Sequence, residues 1–331
     1  MVTEHIFKAL ADLTRLRIAR LLSTMELAVG ELAQVLGQSQ PRVSRHVGIL
    51  CDAGLAERRR EGSWVFLRQS EAGRPIITAV QHLLAVAEAE EGEFAALCEA
   101  DRHKLAAIRR AREIAAEAYF ARHASEWDDL RALHSPDAEV ESRLAAALAD
   151  APLGHLLDIG TGTGRMAELF AGSAERVVAL DKNLEMLRVA RAKLQHLPAA
   201  RIELVQGDFY DLPFADASFD TVLLHQVLHF AADPGPALAE AGRVLRRGGR
   251  IAIVDFAAHQ REELRDRHQH ARLGFADRQM AELLRAAGFA ASTPIALEGG
   301  DLTVKIWLGT RRTSPASSAA SPGSGRAKET A

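Results

Sequence analysis

Residues 156–164 read Leu-Leu-Asp-Ile-Gly-Thr-Gly-Thr-Gly and pass directly into a helical stretch from Met166 to Phe170. Few folds accommodate an apolar strand that breaks into a glycine-rich turn and then a helix. The glycines let the backbone come close to a ligand at the carboxyl end of the strand. The spacing is GxGxG, not the GxGxxG that suits a dinucleotide pyrophosphate. Asp158, just ahead of the turn, would repel a pyrophosphate, so a ligand without one is expected.

Around that turn, apolar runs alternate with helical patterns: HLLDIG at 155–160, RVVALD at 176–181, RIELVQGD at 201–208, FDTVLLH at 219–225 and RIAIVDF at 250–256. This alternation predicts an α/β Rossmann-like domain, a mostly parallel sheet flanked by helices. Acids stand at successive strand ends. Asp181 suits two ribose hydroxyls, and Asp208 with Phe209 suits an adenine amino group and ring. Taken singly, Asp181 or Asp208 serves equally well to cap the turn that follows it.

The first 75 residues have a different texture. Ile6, Leu10, Leu13, Leu16, Ile18, Leu21 and Leu22 fit amphipathic helices. A short helix over Gly30–Leu36 stops at Gly37, and Ser39 caps a second helix with Pro41 in its first turn. Leu55–Arg60, a Glu61-Gly62-Ser63 turn and Trp64–Leu67 predict a hairpin. The whole is a winged helix-turn-helix pattern. Its second helix offers Ser39, Gln40, Arg42, Ser44, Arg45 and His46 to a DNA groove, while Val43, Val47 and Leu50 hold it to the body. Arg58, Arg59 and Arg60 on the hairpin are placed for backbone phosphates. Pattern alone also allows a small helical domain with a solvated basic face.

The chain has 331 residues and a formal net charge of -3, so two domains are expected and any nucleic-acid contact must be local. Cys51 and Cys98 are its two cysteines and frame neither a disulfide network nor a CxxC metal site, which points to a reducing cytoplasm. The N-terminus lacks a signal-peptide pattern, and no stretch reaches the roughly 18 apolar residues that span a bilayer. The expected division is 1–75 for DNA binding, 76–115 as a helical linker and dimerisation segment, 116–310 for the ligand-binding domain and 311–331 as a disordered tail. The acidic residues Glu88, Glu90, Glu91 and Glu93 read as a solvated helix face.

The run from Gln38 to Ser70, with its recognition helix and wing, resembles the ArsR/SmtB family of winged-helix regulators. The resemblance implies double-stranded operator DNA as partner and a homodimer that pairs long helices around residues 75–95. Arsenic-sensing members carry Glu-Leu-Cys-Val-Cys-Asp-Leu where this chain has Glu26-Leu27-Ala28-Val29-Gly30-Glu31-Leu32. Both thiolates are missing, so no metal is expected there. Cys51 reads as a buried, inert thiol.

The strand-and-acid order over about 115–310 resembles the class I SAM-dependent methyltransferases, especially their small-molecule branch. S-adenosylmethionine (SAM) and S-adenosylhomocysteine (SAH) both lack a pyrophosphate. The resemblance implies that Asp158, Gly160, Thr161, Gly162 and Gly164 surround the amino-acid end of that ligand. Asp181 would take the ribose with Lys182 and Met186 nearby, Gly207, Asp208 and Phe209 the adenine, and His225 would stand at the fourth strand's end. Tyr119-Phe120 through Glu126-Trp127-Asp128 resembles that branch's lid. His225, His229 and Tyr119 are candidate catalytic residues, each equally placed for packing or capping. Two functions follow: a transcription regulator with SAM or SAH as effector, or an active small-molecule methyltransferase carrying a DNA-binding module.

Overall fold

The computed structural model describes residues 2–23, 27–61, 64–70, 75–124, 127, 137–198, 200–298 and 301–312. Gly62 and Ser63 of the predicted Glu61-Gly62-Ser63 turn, the lid residues Glu126 and Asp128, the tail from 313 onward and the side chains of Arg59 and Arg60 lie outside what is described, while Glu61 belongs to the strand before the turn.

Four helices open the chain: α1 (Val2–Leu10), α2 (Leu13–Leu22), α3 (Val29–Leu36) and α4 (Gln40–Asp52). Asp12 caps α2 by accepting from the Arg15 N–H at 3.1 Å. Gly37 ends α3 in the left-handed region at φ 63°. Ser39 holds the N-cap position of α4, but its side chain makes no cap bond, which departs from the expectation. Strands β1 (Leu27–Ala28), β2 (Ala56–Glu61) and β3 (Trp64–Gln69) form an antiparallel sheet in the order β1-β3-β2. Val43, Val47 and Leu50 of α4 are buried in the core beneath it.

That core also takes Ile77, Val80 and Leu84 of α5 (Pro75–Glu90) and Leu105 of α6 (Gly92–His123). Ion pairs tie the three helices together: Arg17 of α2 grips the buried Asp101 at 2.5 Å, and Arg20 and Arg102 share Glu88. Glu88 is therefore an anchored residue, not a member of a solvated acidic face, and its two arginines hold its carboxyl below the ordinary range against the opposing cost of burial. Leu83 and Val86 stay exposed on the outer side of α5. Helix α6 has 32 residues, about 48 Å of continuous rod.

After α7 (Asp137–Leu148) the chain builds β4 (His155–Ile159), α8 (Arg165–Phe170), β5 (Arg176–Asp181), α9 (Leu184–Leu194), β6 (Ile202–Gln206), β7 (Phe219–His225), α10 (Pro234–Val244) and β8 (Leu245–Phe256). α11 (Glu263–His268) and α12 (Asp277–Ala286) follow, then β9 (Phe289–Ala291), β10 (Ile295–Leu297) and β11 (Val304–Arg311). The sheet order is β10-β11-β8-β7-β4-β5-β6, with β9 on β11. Strands β8, β7, β4, β5 and β6 are parallel, and β11 joins antiparallel. Two apolar clusters cover its faces, one under α7, α8 and α9 and the other under α10 and α12. The strand order reverses between β4 and β7, the place where open α/β sheets leave a crevice for a ligand. No helix among the described residues is long and apolar enough to cross a membrane.

Candidate functional site

The crevice is real. A cavity of about 390 Å³ opens beyond the carboxyl ends of β4, β5, β6 and β7, within the range of small-molecule sites. Asp158, Gly160, Thr161, Gly162, Asp181, Lys182, Met186, Gly207, Asp208, Phe209 and His225 all line it. Gly164 does not. It starts α8 at φ 84°, and a Cβ there would meet Leu194 at 2.8 Å, so it serves helix packing.

The glycine turn is shaped by contacts on both sides. The Gly160 and Thr161 N–H groups donate to the Leu180 carbonyl at 2.8 and 2.9 Å. Gly160 has φ 70°, and a Cβ would lie 2.3 Å from Val227 Cγ2. At Gly162 a Cβ would lie 3.6 Å from the Trp127 indole, which therefore covers the turn. Asp158 is buried and accepts from the Thr161 hydroxyl at 2.6 Å.

Asp181 bridges two segments. Its Oδ2 accepts from the Gly162 N–H and its Oδ1 from the Asn183 N–H, both at 2.8 Å. Burial pushes its carboxyl above the ordinary range, and those backbone donors offset part of the shift. Asp208 accepts from the Tyr210 N–H at 2.9 Å and pairs with Lys182 at 3.2 Å. Lys182 also reaches Glu117 of α6 at 2.9 Å. Both acids thus hold local turns, the plainer of their two expected roles. A carboxylate has room for further bonds, so this leaves them able to accept from a ligand.

Two catalytic candidates are corrected. His229 does not line the cavity. It is buried, and its Nδ1 donates to the buried Asp255 at 2.8 Å while Asp255 also accepts the His229 N–H at 3.1 Å. Tyr119 turns its hydroxyl to His268 Nδ1 at 2.9 Å, and its neighbours Glu117 and Phe120 face the cavity instead. Only His225 of the three is on the wall.

Several wall residues were missed. Gln226 is 7% exposed, has φ 51°, and its Nε2 has no hydrogen-bond partner in the structure. A buried amide nitrogen left in that state on a cavity wall fits a ligand acceptor. Phe120, Trp127 and Phe230 form an aromatic trio, with Phe120 at 5.3 Å from Trp127 and 4.8 Å from Phe230, both edge to face. Glu31 of α3 and Phe66 of β3 also line the cavity. No sequence signal marks these two, because they arrive from the other end of the chain.

On α4, Ser39, Gln40, Arg42, Ser44 and Arg45 are exposed together. His46 leaves that set: its side chain is 13% exposed and turns toward Asp12 at 3.6 Å. Arg58 is exposed and lies 3.5 Å from the Ser44 carbonyl, across from α4. Cys98 is buried but Cys51, expected to be buried, is only half-buried; burial still pushes both thiols above their ordinary range.

Known proteins match both halves. Residues 12–58 match the bacterial regulatory protein, arsR family, and residues 157–253 match the methyltransferase domain. A malonyl-[acyl-carrier protein] O-methyltransferase of Pseudescherichia vulneris is 33% identical over 180 residues, covering 52% of this chain and 68% of that protein. A demethylmenaquinone methyltransferase of Clavibacter sepedonicus is 37% identical over 142 residues, covering 42% of this chain and 57% of that protein. Among solved structures, a SAM-dependent methyltransferase from Aquifex aeolicus aligns with TM-score 0.44 and 19% identity over 56% of this chain and 97% of that one. The chain spans about half the length of several curated relatives, from 42% to 57% of three of them. The chain belongs to the methyltransferase-domain family, on a Rossmann-like class I fold, and carries an ArsR-family helix-turn-helix ahead of that domain.

Proposed function

We propose that the protein is a transcription regulator that binds operator DNA and takes SAM or SAH as its effector. The observation that carries this reading is the gathering of Asp158, Asp181 and Asp208, from three strand ends, around one cavity with the glycine turn. Asp181 takes the ribose hydroxyls. Asp208 and Phe209 take the adenine, with Gly207 allowing close approach and Met186 beneath. Asp158, Gly160, Thr161 and Gly162 surround the amino-acid end, and Lys182 closes the rim. Arg42 and Arg45, with Ser39, Gln40 and Ser44, face a major groove, and Arg58 to Arg60 reach phosphates.

We take residues 1–75 as the DNA-binding unit, with 76–115 as a dimerisation segment that packs into its core instead of linking two domains, and 116–310 as the ligand-binding unit, which α6 enters unbroken and which β11 carries on to Arg311. The exposed Leu83 and Val86 on α5 support pairing of two copies. A cytoplasmic site of action accords with a DNA ligand.

The second reading, an active small-molecule methyltransferase, draws on the relatives' activities and on His225 at the cavity wall. Transfer from a sulfonium needs mainly an aligned nucleophile, and a base only when that nucleophile carries a proton. SAM would supply the methyl group, and the chain would supply orientation and exclusion of water.

The test is calorimetric titration with SAM and SAH, followed by a gel shift on the protein's own upstream DNA with each ligand added separately. At least one ligand is expected to bind and to change DNA affinity about tenfold. Binding of neither ligand ends both readings. Binding with turnover of SAM, and no effect on DNA, leaves only the second.

A further inference from the structure

The cavity is not the property of one domain. Phe66, on the middle strand of the winged sheet, is 3% exposed and sits in the cavity wall. The guanidinium carbon of Arg272 lies 4.1 Å from its ring centre. Arg272 is itself fully buried, and its Nε donates to the Ala232 carbonyl at 3.1 Å. Ala232 is another wall residue, so Arg272 links two parts of the same wall across the domain boundary. Its backbone N–H donates to the His229 carbonyl at 2.9 Å, which fixes it to the segment after β7.

Glu31 makes a second link. Its Oε2 accepts from the Ala28 N–H at 2.8 Å, and Ala28 pairs with Phe66 across β1 and β3. Glu31 also lines a separate cavity under α4, together with Gln40, Ser44, Arg45 and Arg58. One carboxylate therefore walls both the ligand cavity and the groove beneath the proposed DNA-reading face. Arg68, two residues beyond Phe66, pairs with Glu282 of α12 at 2.9 Å and fastens the same strand to the ligand-binding domain.

We propose that Glu31 and Phe66 are ligand-pocket residues supplied by the winged helix, and that through them an adenosyl ligand and DNA alter each other's affinity. They line the same cavity as the proposed adenosyl residues, together with Phe120, Trp127 and Phe230. A small organic group with an apolar face suits that wall. Close-packed interiors transmit small displacements instead of absorbing them. A ligand seated against Phe66 therefore biases β3, and β3 carries β2 on one side and β1 with the start of α3 on the other. The effect is reciprocal: DNA that shifts β3 must change ligand affinity by the same factor. This inference rests on the adenosyl reading of the glycine-turn pocket.

The test uses the full chain with SAH as probe. Hydrogen exchange is followed over residues 64–69, and DNA affinity is measured on the protein's own upstream duplex. Each protein is studied at about ten times its own SAH Kd. Wild type is expected to show about fivefold slower exchange in β3 and about a tenfold change in DNA affinity on SAH addition. Phe66→Leu is expected to lose the added protection and to cut the DNA effect below about twofold. Glu31→Gln, isosteric and still able to cap α3, is the second variant and is expected to reduce the DNA effect at least threefold, on the order of the smaller couplings known between sites. Should SAH bind and shift DNA affinity equally in wild type and both variants, the wing is a bystander. The proposal then falls while the regulator reading stands. SAH that fails to bind wild type overturns both.

Discussion

Asp181 serves the glycine turn and the proposed ligand with the same two oxygens. In the structure they hold the Gly162 and Asn183 N–H groups, and burial keeps the carboxyl above its ordinary range. For an acid whose folded value is raised, the stabilising share is fully present below the unfolded value and is lost as pH rises through the folded value. The fold is therefore helped by acid at this residue, while the proposed ribose contact, which needs the carboxylate, would be hindered by it. SAH affinity is expected to fall on acidification starting above the ordinary aspartate range. Asp181→Asn should flatten that dependence and weaken binding at pH 7 about tenfold, since a charged acceptor is worth about 1.5–3 kcal/mol. Calorimetry from mildly acidic to neutral pH checks both. At this scale the sequence was legible for residues fixed by local order. Asp158, Asp181 and Asp208 end strands that their own apolar runs define. His229 and Tyr119 were not legible, because their partners Asp255 and His268 lie 26 and 149 residues away in sequence.

Among the elements, the turn after β4 makes the sharpest demand on residue type. Gly160→Ala meets a left-handed backbone and a Val227 methyl at 2.3 Å. Gly248, at φ 78° with open space around it, meets only the backbone cost and so serves as control. Gly248→Ala is expected to cost about 1 kcal/mol and Gly160→Ala at least about twice that, read as a difference in urea midpoints at unchanged m. The N-terminal helices, the β2–β3 hairpin and the five parallel strands were readable from periodicity and turn residues, whereas β1, β11, α11 and α12 were not read from the sequence. The edge strands β9 and β10 were not: each has three residues, too few to display an alternation. Strand β11 completes the sheet antiparallel to β8, and the order in which strands lie side by side is written in no single segment.

For the whole molecule, the decisive contacts are the ones no local pattern encodes. Phe66 against Arg272, Arg68 against Glu282 and Glu31 on two cavities join segments more than 200 residues apart or separate cavities. If these contacts couple the two domains, the domains unfold together. Calorimetric melting is expected to give one transition for wild type. One alanine inserted after Arg110, in the middle of α6, should split it into two by breaking that boundary, as read by scanning calorimetry. Each half would keep its own core, so both transitions should remain cooperative.

The reason lies in α6 itself, which packs Leu105 into the N-terminal core and brings Phe120 to the ligand cavity. A rod of this kind transmits rotation as well as length. Each added residue turns everything beyond it by about 100° and advances it about 1.5 Å. Seven added residues would nearly restore the phase, with a lag of about 20°, but would drive the halves about 10 Å apart. No insertion can satisfy angle and distance together, so natural variation in this helix should be confined to substitution, with length changes displaced to the segment after its end.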